Sequence, residues 1–244
     1  MRTSRLAQAN TGSRPPSDVI AHYLEAIYYI AAEGEAVRSA RLADWLSVSR
    51  PTVTAALGRM TRDGMVRING RKEIELTPRG QTAAAAIVRR HRIIERWLTD
   101  ALGLDWVTAD MEAERLESAL SDVVAAKLHD ALGKPPTCPH GNPIPGVSTM
   151  RRDEIRLSAL GQGESGTITR ISEVAQREAP PLLQYLHARG LRPGTRVLVE
   201  EVDQVGRTMR LRAAKTLTLS TETAAKLSVV RSPRPRRGRA RARA

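Results

Sequence analysis

The chain has 244 residues, one cysteine and a formal net charge of +13. A single cysteine excludes an internal disulfide and a cysteine-rich zinc module. No apolar run approaches the roughly 20 residues of a membrane-spanning helix, and the N-terminus lacks the apolar stretch of a secretory signal. We therefore expect a cytoplasmic protein that does not bind membranes.

The positive charge is concentrated at the C-terminal end. Residues 231–244 contain seven arginines and no acidic residue. This composition predicts a disordered Arg-rich tail over 231–244, and residues 1–17 are predicted to be a disordered arm. Two interpretations of the tail stay open. It either attracts phosphate groups non-specifically or only keeps the protein soluble. The remaining chain is only mildly basic, so DNA binding has to be argued from a motif.

The N-terminal part predicts a helix-turn-helix. Apolar residues spaced by one helical turn predict a helix over 18–32. In the segment "VRSARLADWLSVSRPTVTAALGRMTRDG", two short helices flank a turn, where Ser49 is able to cap the second helix and Pro51 fits its first turn. Val53, Leu57 and Met60 fall on the inner face of that second helix, which leaves a polar face outward.

A hairpin is predicted directly after these helices. The segment "MVRINGRKEIEL" alternates apolar residues around an Asn-Gly turn. A helix-turn-helix followed by a basic hairpin is a winged helix, predicted over 18–80. Its outer face and wing tip offer contacts to major-groove bases and to phosphate, namely Arg50, Thr52, Thr54, Arg59, Arg71 and Lys72. A winged helix that binds protein, or that only packs, is the alternative.

Helices and then strands follow. Apolar spacing and caps predict helices at about 78–102, 108–120 and 122–132, which form a helical domain over 81–146 suited to homodimerisation. The segment "TCPHGNPIPG" at 137–146 has three prolines and two glycines, so it predicts a joint. Beyond it, short alternating strands predict a small β-barrel at 152–230. The fold class is therefore mainly α with small β parts.

Acidic and histidine side chains recur on single helix faces in three places. Together they form a candidate site of two imidazoles and five carboxylates: His22, Glu25, His91, Glu95, Asp110, Glu114 and Glu117. If these groups packed inward without a cation, the carboxylates would repel one another. An oxygen-rich set with imidazole and no thiolate suits Mn²⁺ or Fe²⁺. The alternative is a set of solvated helix faces with ion pairs such as Arg92 with Glu95.

The sequence does not predict an enzyme. No Ser–His–Asp or Cys–His arrangement stands out, and "GQGESG" at 161–166 precedes a strand rather than the helix that a phosphate-binding loop requires. A metal-dependent hydrolase would need an open coordination position and a substrate pocket.

Several motifs resemble those of the diphtheria toxin repressor and manganese transport regulator family of metal-activated repressors. They are "YLEAIY", "PTVTAALGRMTRDG", "LTPRG", "RRHRIIERWL" and "GNPIPG". The resemblance covers about 18–146, and 152–230 is similar to the SH3-like, FeoA-type domain of longer members. It implies a homodimer that binds a palindromic operator when a metal corepressor is bound. It also implies repression of metal-uptake genes, and activation of efflux genes occurs within the family.

The resemblance maps the family's metal ligands onto the seven residues of the candidate site and onto Ser118. Glu25 and Glu114 match manganese-type members, which favours Mn²⁺ over Fe²⁺ and allows two ions per subunit. His22 replaces an Asp or Met, and Ser118 replaces the usual His. Either the imidazole has moved from one helix to another, or the second site is weakened.

The resemblance also makes finer statements. Cys138 and His140 do not fall on ligand positions. The Glu and Gln that the barrel donates in some members align with Ala179 and Leu182, with Glu178 one residue away, so no barrel ligand is expected. Base-contacting positions carry over to Ser49, Pro51 and Thr52, and Ala55 stands where iron-type members have Gln. The rival interpretation is a metal-independent, salt-governed DNA binder with a degraded metal site and a basic tail.

Overall fold

The computed structural model describes residues 17–233. Most of the predicted arm and tail therefore lies outside the described residues. Arg231 is an exception to the predicted disorder, because it ends the last strand. Within the described part of the chain, no helix is long and apolar enough to cross a membrane.

The N-terminal helices and hairpin form the predicted winged helix. The elements are α1 (Asp18–Ala32), α2 (Ser39–Leu46), α3 (Arg50–Arg62), β1 (Val66–Ile68) and β2 (Ile74–Leu76). Val53, Leu57 and Met60 are buried in the core that the three helices share, as their spacing predicts. Ser49 caps α3, since its Oγ accepts a hydrogen bond of 3.3 Å from the backbone N–H of Thr52.

The wing differs from the expected Asn-Gly turn. The strands end at Ile68 and resume at Ile74, so the loop is longer than two residues. The Oδ1 of Asn69 accepts hydrogen bonds from the backbone N–H groups of Arg71, at 2.9 Å, and Glu73, at 3.0 Å. Lys72 adopts the left-handed conformation with φ 59°. The asparagine side chain therefore organises the wing tip, in place of a primed two-residue turn.

Three helices follow the wing: α4 (Pro78–Asp100), α5 (Trp106–Leu116) and α6 (Asp122–Ala131). The helix predicted over 108–120 was misplaced at both ends. It begins earlier because the side chain of Asp105 accepts hydrogen bonds from the N–H groups of Val107 and Thr108, at 3.0 and 3.1 Å. It ends at Leu116, so Glu117 and Ser118 lie in the turn after it.

The joint at 137–146 packs by its backbone against the β domain. The Ile171 N–H donates to His140 O at 2.9 Å, and Asn142 Nδ2 donates to Ile171 O at 3.0 Å. Gly141 has φ 86°, and a Cβ there would lie 1.9 Å from Thr169 O. The close approach of two backbones thus requires a glycine at this position.

The C-terminal part contains six strands and three short helices. They are β3 (Glu154–Arg156), a 3₁₀ turn (Leu157–Ala159), β4 (Ser165–Ile171), α7 (Glu173–Glu178), α8 (Pro180–Ala188), β5 (Arg196–Asp203), β6 (Thr208–Arg212), β7 (Thr216–Ser220), α9 (Thr221–Ala225) and β8 (Leu227–Arg231). The strands form one antiparallel sheet in the order β3-β8-β4-β5-β6-β7, with bulges in β4 and β5. Strands β3, β8 and the short helices α7 and α9 were not predicted. Trp106 of α5 joins the hydrophobic core of this domain, so the domain is docked on the helical one.

Candidate metal centre

A cavity of about 290 Å³ lies where α1, α4, α5 and α7 meet. Five of the seven residues of the candidate site line it, which shows that the separate helix faces converge. Three residues of α7 complete the polar wall. The lining includes His22, Glu25, His91, Asp110, Glu114, Glu173, Gln176 and Arg177.

His91 lies at the centre of the cluster. Its Nδ1 is 2.9 Å from Glu117 Oε2, and its Nε2 is 3.3 Å from Asp110 Oδ1. Burial opposes the charged imidazole, but the contacts with Asp110 and Glu117 outweigh burial and raise the pKa of His91 well above its usual range. The ring is thus held between two carboxylates at the point where a shared cation would lie.

Glu25 brings a further carboxyl group to His91 from the first helix. Its side chain is buried, and the hydroxyl of Tyr29 donates to its Oε1 at 2.8 Å. Burial, followed by the negative charge of Glu117, raises the pKa of Glu25 to about 8. Ligand atoms of Glu25, His91 and Glu117 all lie within 4.8 Å of one another. Such crowding of buried acids fits a divalent cation, because the cation would relieve their repulsion.

Glu95 belongs to two groups. In one it lies with His91 and Asp110, and in the other with Cys138 and His140, again with ligand atoms within 4.8 Å. His140 Nδ1 lies 2.7 Å from Glu95 Oε1. Nevertheless, these two atoms and His140 Nε2 lack a hydrogen bond of acceptable geometry to any residue in 17–233. The segment 137–146 therefore brings Cys138 and His140 beside Glu95, although the resemblance sets these two residues apart from the ligand positions.

The β domain brings polar residues to the cavity, at positions other than those that the resemblance aligns with the family's barrel ligands. Glu173 and Gln176 lie on α7 with i, i+3 spacing and line the cavity. The two residues that the resemblance aligns with the barrel ligands do not line the cavity. Leu182 packs in the β-domain core, and Ala179 lies between α7 and α8. The Glu-x-x-Gln pattern was visible in the sequence, but the alignment placed it too late in the chain.

Arg92 ties Glu173 to the helical domain. The Arg92 side chain is 1% exposed, and its Nε and Nη2 donate to Glu173 Oε1 at 3.1 and 2.7 Å. Its Nη1 also donates to Pro143 O in the joint. The alternative pairing of Arg92 with Glu95 on a solvated face is therefore wrong, since Arg92 is buried and bound elsewhere.

His22 and Ser118 line the same second hollow, beside the main cavity. Both residues are exposed, and Glu114 lines both spaces. The unusual histidine of α1 and the unusual serine after α5 therefore border one common space. The full lining is Asp18, His22, Met111, Glu114, Arg115 and Ser118.

The predicted DNA contacts form an exposed surface on the winged helix. Thr54 Oγ1 donates to Arg50 O at 3.0 Å, and the hydroxyls of Ser49 and Thr52 lie 2.7 Å apart. Glu73, Glu75 and Arg67 form the stem of the wing, and Arg67 binds Glu75 at 2.6 Å. The residues left exposed are Ser49, Arg50, Pro51, Thr52, Thr54, Arg59, Arg71 and Lys72.

Three family models match consecutive parts of the chain. The iron-dependent repressor N-terminal DNA-binding domain matches 17–74, the iron-dependent repressor metal-binding and dimerisation domain matches 77–146, and the FeoA domain matches 155–231. Together they cover the winged helix, the helices that carry the cluster, and the β domain.

Curated relatives match most of the chain. The iron-dependent repressor IdeR of Mycobacterium tuberculosis is 34% identical over 218 residues, covering 85% of this chain and 94% of the relative. The diphtheria toxin repressor of Corynebacterium efficiens is 37% identical over 189 residues, covering 74% and 82%.

Solved structures agree with these relatives. A manganese-dependent transcriptional repressor in complex with manganese superposes with a TM-score of 0.78 at 30% identity, covering 87% of this chain and 100% of that chain. The IdeR of T. acidophilum superposes with a TM-score of 0.73 at 25% identity, covering 90% and 100%. These findings do not support a metal-independent DNA binder. The chain belongs to the family of IdeR and the diphtheria toxin repressor, and it is a metal-dependent, DNA-binding transcriptional repressor.

Proposed function

We propose that the protein represses metal-uptake genes as a homodimer, binding a palindromic operator when Mn²⁺, in preference to Fe²⁺, is bound near His91. The observation that carries this proposal is the burial of Glu25, Glu95 and Glu117 around a buried histidine. Buried carboxylates are retained only where a cation or hydrogen bonds compensate them.

We assign two groups of ligands, for two ions per subunit. The first is an oxygen and imidazole set that suits Mn²⁺: His22, Glu25, His91, Glu114 and Glu117. The second is centred on Glu95, which is shared between Asp110 on one side and the Cys138–His140 pair on the other. A thiolate ligand favours a softer ion, so the second group need not hold the same metal as the first. When bound, an ion supplies the positive charge that joins carboxylates of different helices.

The protein's own residues convert this joining into DNA binding. Glu25 lies on α1, which packs against α2 and α3 in the core of the winged helix, whereas His91 lies on α4. Attraction of the Glu25 and His91 side chains to one cation restrains the winged helix, which we call the reading head, relative to the helical domain. The ion thereby favours a head orientation compatible with the operator.

The domains divide these tasks. Residues 18–80 read the operator, 81–146 hold metal and dimerise, and 152–230 dock on the metal cluster. Exposed apolar side chains of α5 and α6 support dimerisation, since Val123 is 72% exposed and Met111 is 49% exposed. Two heads are needed because each half of a palindrome is read by one subunit.

His22 and Ser118 support an exchange of one nitrogen ligand between helices. They line a common space beside Glu114, so an imidazole at either position would face it. The double variant His22→Asp with Ser118→His is expected to keep its metal response. Loss of that response in the double variant, with each single change harmless, would refute the exchange.

The deciding experiment is selection of genomic DNA fragments by the purified protein in chelator, and then with Mn²⁺ or Fe²⁺ under anaerobic conditions. Metal-dependent enrichment of a few palindromic sites near transport genes is expected, with Mn²⁺ more effective. A Glu25→Gln variant should lose the enrichment, whereas Glu112→Gln on the exposed side of α5 should keep it. Equal, salt-sensitive recovery of all fragments with or without metal would overturn the proposal.

A further inference from the structure

We propose that Arg177 is an internal cation that competes with metal for Glu114 and thereby lowers the metal affinity of the cluster. The inference rests on the proposed metal site and deepens it. It assigns to the β domain a direct effect on how much metal is needed for a response.

The contact joins two domains inside the cavity. Nη1 of Arg177, on α7, lies 3.0 Å from both carboxylate oxygens of Glu114, on α5. Both residues line the same cavity as His91 and Glu25. A metal ion bound by Glu114 requires an oxygen lone pair that the guanidinium now shares, and its charge is repelled by the guanidinium. Metal and Arg177 therefore oppose each other at this carboxylate.

Arg177 is free to move in a way that Arg92 is not. The Arg92 side chain is 1% exposed and fixed by Glu173 and Pro143. The Arg177 side chain is 44% exposed, and its partner Glu114 is 33% exposed. A partly exposed pair contributes little to stability, so the guanidinium is able to leave Glu114 at small cost when metal binds. Among the described residues, Arg177 is the one arginine that lines this cavity.

Replacing Arg177 tests the idea directly on metal binding. The variant Arg177→Gln is expected to bind Mn²⁺ about two- to fivefold more tightly, the range set by exposed ion pairs. The readout is competition of the full-length protein against a fluorescent Mn²⁺ chelator, without DNA. Arg177→Lys retains the charge and should stay near the wild type. The matched control is Arg210→Gln, because Arg210 is an exposed β-domain arginine paired with Glu201 at 2.9 Å. It lies on β6, two strands from the strand β4 that leads into α7, so the Mn²⁺ affinity of this variant should equal that of the wild type.

A variant that lacks the Glu114 carboxylate separates competition for that carboxylate from long-range repulsion between Arg177 and the metal ion. In a Glu114→Gln protein, adding Arg177→Gln should change Mn²⁺ affinity by less than the single change does in the wild type. An equal gain in both backgrounds would overturn the specific competition. Weaker Mn²⁺ binding by Arg177→Gln would show that Arg177 positions Glu114 for metal, and would overturn the proposal. If the wild-type protein binds no Mn²⁺, both the proposed function and this inference fail. If the wild type binds Mn²⁺ and Arg177→Gln binds it with the same affinity, only this inference is overturned.

Discussion

Neutralising Glu33 is expected to weaken the attachment of the β domain to the first helix. Glu33 follows α1, and its side chain is 6% exposed. Its oxygens lie 2.7 Å from Arg170 Nη1 and 2.6 Å from Arg156 Nη2, and Arg170 also contacts Glu154 at 3.0 Å. The variant Glu33→Gln leaves two guanidinium groups with one carboxylate. Removing one partner of a fully buried pair costs about 3–5 kcal/mol. Because Arg156 is 35% exposed and Arg170 keeps Glu154, we expect a loss of about 2 kcal/mol.

Urea denaturation at neutral pH measures this loss. The control is Glu35→Gln, whose exposed pair with Arg41 at 2.7 Å should contribute less than about 1 kcal/mol. Burial opposes ionisation of Glu33, but hydrogen bonds from Arg170 and Arg156 outweigh it and lower its pKa below 4.5. The stabilisation is therefore present above pH 4.5 and is lost as pH falls through the folded-state pKa. Equal stabilities for the two variants, or a difference that persists in strong acid, would refute this reasoning.

Three further predictions concern the joint and the wing. Gly141→Ala should destabilise the protein by more than about 1 kcal/mol in thermal unfolding, because its Cβ would lie 1.9 Å from Thr169 O at φ 86°, whereas Gly70→Ala, with open space around it, should be tolerated. Cys138 should resist iodoacetamide until the protein unfolds, since burial raises the pKa of its thiol well above the usual range; rapid labelling of the folded protein would contradict this. Lys72→Gln should reduce the slope of log affinity against log salt by about 1, with similar losses on all DNA sequences, and an unchanged slope would exclude a phosphate contact.

Local signals predicted the helical part of the molecule. The caps at Ser49, Thr77 and Ser121 each accept the expected backbone hydrogen bond, and apolar spacing identified the buried face of α3. These features depend on residues within one or two helical turns of each other. The end of α5 differs from the prediction because the helix tightens into a turn, where the Ala119 N–H donates to Leu116 O at i, i−3 spacing, and no glycine or proline marks that turn.

The parts that could not be predicted depend on contacts between distant residues. Glu95 of α4 meets His140 because the joint packs against α4, where Arg92 donates to Pro143 O and Ile144 shares a core with Ile93, and no periodicity in the sequence encodes that approach. Similarly, β3 pairs with β8, at the far end of the domain. The position of α7 follows from where β4 ends, so an alignment without that boundary displaced Glu173 and Gln176.

Two contacts at α1 and just after it bear on the proposed mechanism, and one of them depends on metal. Near the middle of the helix, Glu25 faces His91 in the proposed ion site. Just beyond its end, Glu33 is bound to Arg170 of the β domain. Eight residues of helix separate the two by about 12 Å. In the proposed mechanism, Arg170 restrains one end of the helix, so an ion that held Glu25 would fix the direction of the helix rather than a single point on it. The β domain would thus lower the freedom that metal must remove from the winged helix, and a modest difference in metal affinity between its orientations would be enough to select one.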